Sequence, residues 1–139
     1  IGRRGMKLVG LDTNIVIRLL TNDDPDQRRS ALQFAERLGK DYLAFLPLIC
    51  VVELDWALRS RLGYTRSDAS NAISKLLRVR GLTVEHHDIV VKALRQVAQT
   101  NADFADALIA ARAIEEGCGA VKTFDKRAAT RVPGMELLA

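Results

Sequence analysis

Residues 7–20 run KLVGLDTNIVIRLL. The apolar stretch KLVGL at 7–11 stops at Asp12, and after Thr13-Asn14 a second apolar stretch, IVIRLL, begins; the order is strand, carboxylate, helix, with the acid at the strand's carboxyl end. A charge set against apolar neighbours carries a large desolvation cost unless a cation or strong donors compensate. The same situation recurs at Glu53 in LICVVELDW, Asp106 in ADFADALIAA and Asp125 in AVKTFDKR. If the fold brings these acids together, they form a site for a hard metal.

Outward from that stretch, strands and helices alternate. Asp24-Pro25-Asp26 puts a capping acid before a proline at the first helical position, predicting a helix over 25–38 closed by Gly39. YLAFL at 42–46 is the second strand, and Pro47 opens a helix over about 49–62 that carries Glu53 and stops at Gly63. Thr65 and Asp68 resemble a capping box for a helix ending near Gly81. TVEHH at 83–87 follows as a third strand, and Asp88 caps a helix to about 99. A further helix spans 103–116, a buried strand Ala120–Phe124 ends at Asp125, and MELL at 135–138 is an edge strand. This alternation predicts a three-layer α/β domain with a central, mostly parallel sheet flanked by helices, whose ligands bind beyond the carboxyl ends of the strands, where Asp12 and Asp125 lie.

A chain of 139 residues is long enough for one domain with a real core, expected over 6–139. Residues 1–5, IGRRG, precede Met6 without the apolar centre of a secretory signal and are expected to be a cloning remnant. Apolar residues are 48% and charged residues 27%, and no window approaches the roughly 18 consecutive apolar residues of a membrane helix, so a bilayer span is excluded. Cys50 and Cys118 are far apart and are expected to be reduced packing residues of a cytoplasmic protein, and with His86-His87 they make no zinc pattern. The net charge of +4 suits a polyanionic partner. Acids gathered in one cleft would leave the remaining surface more basic still, able to hold a nucleic acid by its phosphates around a metal-loaded centre.

Each acid also has a plain structural reading. Asp12 alone is a helix cap, Asp103 and Asp106 are the N-cap and third-position acid of their helix, and Asp125 caps the turn Lys126–Thr130. Glu53 resists such a reading, because Leu48 to Val52 precede it and Leu54 and Trp56 follow; it is expected to point inward toward a cation, with Trp56 facing the core. Asp55 lies about 200° further round the helix, solvated or paired with Arg59. Asp103 and Asp106 share a face. Oxygen-only ligands favour Mg²⁺ or Mn²⁺, which would relieve the mutual repulsion of clustered carboxylates and assist hydrolysis of a phosphodiester. Lys126 and Arg127 are candidate contacts for substrate phosphates, and Arg59, Arg61, Arg66, Lys75 and Arg78 a candidate RNA or partner surface.

From Met6 to the C-terminus the order of motifs resembles the PIN-domain nucleases, and among them the VapC-type toxins of toxin-antitoxin pairs. The resemblance is carried by Leu11-Asp12-Thr13-Asn14, Val52-Glu53-Leu54, the segment DFADALIA at 103–110 and Thr123-Phe124-Asp125. It implies a PIN fold, Mg²⁺- or Mn²⁺-dependent endoribonuclease activity, a homodimer, and a VapB-like antitoxin whose tail occupies the acidic cleft. Asp12, Glu53 and Asp106 match the most regular metal ligands, Asp125 the fourth acid and Asp103 an additional one. Thr13, Asn14 and Thr123 match polar positions that support the carboxylates. The family often has Asn before the last acid, where this chain has Phe124. Haloacid-dehalogenase-like phosphatases want Asp-x-Asp after the first strand, and position 14 is Asn; a receiver domain wants paired acids absent from KLVGLD. The alternative from another class is a catalytically inert basic module, which an aromatic share of 5% leaves poor in base-stacking platforms.

Overall fold

The computed structural model describes residues 5–138. The expected cloning remnant, residues 1–5, lies outside them but for Gly5. The elements follow the predicted alternation: β1 (Lys7–Gly10), α1 (Thr13–Leu20), α2 (Pro25–Arg37), β2 (Tyr42–Leu46), α3 (Leu48–Ser60), α4 (Arg66–Leu76), β3 (Leu82–Val84), α5 (His87–Thr100), α6 (Phe104–Glu115), β4 (Val121–Thr123), α7 (Lys126–Arg131) and β5 (Met135–Leu137). Every paired strand is parallel to its neighbour, as helical crossovers between consecutive strands require. The architecture is a three-layer α/β domain. Its hydrogen bonding falls into two ladders, β1-β2-β3 and β4-β5.

Local chemistry sets the ends of these elements. Asp24 accepts the Gln27 N–H ahead of Pro25, as its sequence predicts, and Thr65 and Asp68 form a full capping box on α4. Gly39 and Gly81 both have positive φ, and a Cβ on Gly81 would come within 2.7 Å of the Gly39 backbone. The turns before β2 and β3 therefore pack together only because position 81 is glycine. β3 is shorter than TVEHH suggests. His86, not Asp88, stands at the N-cap position of α5, in a left-handed conformation and with no side-chain capping bond, and ends the extended run.

The core gathers on β2 and on α3 to α6, where Leu46, Leu54, Leu58, Ile73, Ile89, Val90 and Phe104 are buried. Some expectations about burial fail, among them the buried strand ending at Phe124, which is 79% exposed. Trp56 is 59% exposed rather than core-facing, with the Arg61 guanidinium over its ring at 5.7 Å. Of the two expectations for Asp55, solvated or paired with Arg59, the structure has the second, with the residue 2% exposed. Cys118 is exposed, whereas Cys50 is buried with its thiol directed at the Leu11 carbonyl. α3 is thus rotated relative to the predicted facing: a buried Asp55 is tolerable because Arg59 pairs with it, and Trp56 then falls on the solvent side.

Candidate active site

Asp12 and Asp125 each lie two residues beyond a strand, β1 and β4, and each is the N-cap residue of the helix that follows. They use that position differently. The Asp12 side chain makes no capping hydrogen bond and is exposed, so the cap reading of this residue fails and its carboxylate is left for other partners. Asp125 does cap: its Oδ1 accepts the N–H groups of Arg127 at 2.9 Å and Ala128 at 3.0 Å. Thr123 Oγ1 in turn accepts the Asp125 N–H at 3.0 Å, bracing the turn.

Glu53 is exposed on α3, not inward, because it stands on the opposite side of the helix from buried Asp55. Buried Thr13 donates its hydroxyl to Glu53 Oε1 at 2.7 Å, which joins the start of α1 to α3 beside Asp12. Asn14 faces elsewhere, lining a groove between β1, α1 and α2.

A second group of acids lies at the start of α6. Asp103, Asp106 and Asp125 line one small cleft of about 220 Å³ with Arg66, Arg127 and Arg131. Asp103 is the N-cap of α6: Oδ2 accepts the Asp106 N–H at 3.2 Å, and Oδ1 accepts from Arg59 Nη2 at 3.0 Å. The carboxyl of Asp106 is half-buried, and its pKa is raised by burial first, then by the charges of Asp103 and Asp125, with Arg66 opposing. Lys126 and Arg127 are exposed at the mouth of the turn. Arg59, also a candidate for the RNA or partner surface, pairs with Asp55 as one expectation had it, and with Asp103 as well. Arg131 carried no signal in the sequence, because only the fold brings the end of α7 to α6.

Among the described residues no three His, Cys, Asp or Glu side chains converge closely enough to enclose one ion. The donor set nonetheless fits Mg²⁺, which is usually held by one or two carboxylates, with waters and substrate phosphate completing its shell. Asp106, surrounded by other acids, is the group whose charge a cation would relieve most.

Carboxylates just past the ends of β1 and β4, and arginines lining the same cleft as Asp106 and Asp125, are the kinds of group that hydrolysis of a phosphodiester would use. The chain belongs to the PIN domain family, whose model matches residues 9–134. PIN domains are generally nucleases and generally use divalent metals. No curated protein matches the chain. Among solved structures it is similar to VapBC2 from Rickettsia felis bound to a DNA fragment from its promoter, at 16% identity and a TM-score of 0.39, over 94% of this chain and 96% of that one; so loose a superposition carries no argument. No helix among the described residues is long and apolar enough to cross a membrane.

Proposed function

We propose that this PIN domain is a Mg²⁺- or Mn²⁺-dependent endoribonuclease and the toxin of a VapC-type pair, cytoplasmic, homodimeric and restrained by a VapB-like antitoxin. The observation that carries the catalytic part is the cleft that Asp106 and Asp125, from separate elements, line together with Arg66, Arg127 and Arg131. Acids alone would repel a phosphodiester. Arginines beside them, exposed Arg127 above all, attract one while leaving the carboxylates for a cation.

In this reading Asp12, Glu53, Asp106 and Asp125 are the catalytic, metal-holding acids. A divalent cation held there would neutralise charge on the phosphate and leaving oxygen and favour ionisation of a water. Thr13 orients Glu53 through its hydroxyl and Thr123 braces the Asp125 turn, whereas Asn14, which lines the groove between β1, α1 and α2, is left out of this reading. Arg127, with Lys126 beside it, holds substrate phosphates. Exposed Ile49, Trp56 and Ile109 on α3 and α6 supply apolar surface of the kind a second copy or an antitoxin covers.

The test is cleavage of a mixed single-stranded and transfer RNA pool with Mg²⁺ or Mn²⁺ against EDTA, using Asp12→Asn, Glu53→Gln and Asp106→Asn variants shown to be folded. Metal-dependent cutting that the three substitutions abolish is the expected result. RNA that is bound but never cut would replace this reading with an inert binding module.

A further inference from the structure

Asp55 has no part in the proposed metal chemistry, yet it is among the most deeply buried side chains of the protein. A buried carboxylate without a partner is costly, and this one has Arg59, whose Nη2 reaches Asp55 Oδ2 at 2.9 Å. The same nitrogen donates to Asp103 Oδ1 at 3.0 Å, and Asp103 Oδ2 accepts the Asp106 N–H at 3.2 Å. An unbroken polar chain therefore runs from the buried side of α3 through Arg59 to the first turn of α6.

We propose that Arg59 is a positioning residue for the catalytic acids, and that Asp103 is the anchor it holds rather than a metal ligand. This rests on the nuclease reading above. Replacing a buried ion pair by well-packed apolar residues is often neutral or favourable, so stability alone is a poor reason to keep this one. What apolar packing would not supply is a directional tie to Asp103. Thr13 fixes α3 to α1 through Glu53, and Arg59 fixes it to α6 from the other side of the helix. Together the two ties set the rotation of α3, hence the direction of Glu53, relative to Asp106. Each oxygen of Asp103 already accepts one hydrogen bond, from Arg59 and from the α6 backbone, which leaves it less free to turn toward a cation than Asp106 is.

The experiment compares Arg59→Met, Arg59→Lys and Asp103→Asn with wild type in thermal unfolding, Mn²⁺ affinity by electron paramagnetic resonance, and kcat and KM on RNA. Arg59→Met is expected to weaken Mn²⁺ binding and kcat at least about tenfold while KM moves less than about twofold, since misplaced groups slow chemistry more than binding. Because one nitrogen makes both contacts, a lysine ammonium can fill its place, and Arg59→Lys should restore most of both losses. Asparagine still caps a helix, so Asp103→Asn keeps α6 but loses the charge partner. Its effect should be non-additive with that of either Arg59 substitution. Should Arg59→Met fail to fold, the Arg59→Lys and Asp103→Asn cycle carries the test alone. Folded Arg59 variants that lose stability but keep wild-type Mn²⁺ affinity and kcat would mark a purely structural pair and overturn the proposal, as would additive effects. A wild type that neither binds Mn²⁺ nor cuts RNA overturns the nuclease reading, and the bridge with it; an active wild type with indifferent variants overturns the bridge alone.

Discussion

The hydroxyl of Thr13 is buried and spends its hydrogen on Glu53, an exposed carboxylate that water could solvate equally well. Its use is therefore orientation more than stability. Thr13→Val keeps the shape and removes the donor, so unfolding should shift by less than about 1.5 kcal/mol, the net worth of an ordinary hydrogen bond. Steady-state kinetics should show kcat down by about tenfold with KM little changed, and Thr13→Ser should recover the activity. Asp106 behaves in the opposite sense. Burial and the charges of Asp103 and Asp125 all disfavour its ionised form, so the metal-free protein carries a cost that Asp106→Asn removes. In EDTA at neutral pH that variant should melt about 2–5 °C above wild type. Added Mn²⁺ should raise the wild-type midpoint and leave that of the variant where it was; an equal response from both would sink Asp106 as a ligand. The acids themselves were legible in the sequence because each interrupts an apolar run. Their partners were not, since Thr13 and Glu53 are forty residues apart and nothing local records that they meet.

At the scale of elements, α3 shows where periodicity stops being informative. LICVVELDWALRS is apolar on nearly every side, so the sequence does not say which face is inward. The sequence puts Trp56 toward the core because its helix is expected to face it; the ion pair of Asp55 with Arg59 sets the rotation instead. Truncating a core tryptophan costs about 3–5 kcal/mol, whereas Trp56→Ala should cost under about 1 kcal/mol, mostly the contact with Arg61. As the single tryptophan of the chain it also reports directly: its fluorescence should be that of a solvated indole, open to acrylamide quenching. A blue-shifted, protected emission in the isolated protein would mean that the α3 surface is covered, as by a second copy. Caps were easier to read, because Thr65 and Asp68 act within one turn. Thr65→Ala should lower stability by about 1 kcal/mol, seen as a lower urea midpoint at constant m.

For the whole molecule, alternating strands and helices announced a parallel α/β domain, but pairing is non-local, and the division into β1-β2-β3 and β4-β5 ladders left no mark on the sequence. Charge is the other global property. A net +4 spread evenly would bind polyanions anywhere, whereas here Arg66, Arg127 and Arg131 line one cleft with the acids. If RNA is drawn to that cleft, its affinity should fall with salt at a slope of about −0.7 per neutralised phosphate on a single strand. In an Asp12→Asn background, which lets binding be measured without cutting, Arg127→Ala should weaken binding of a single-stranded oligonucleotide whatever its sequence and make the slope shallower by about 0.7. Divalent ions should strengthen binding in that background, because the cleft places Asp103, Asp106 and Asp125 where the phosphate must come. An unchanged slope in the Arg127 variant would mean that RNA enters over another face, and the arginines would then serve only to balance the charge of the acids beside them.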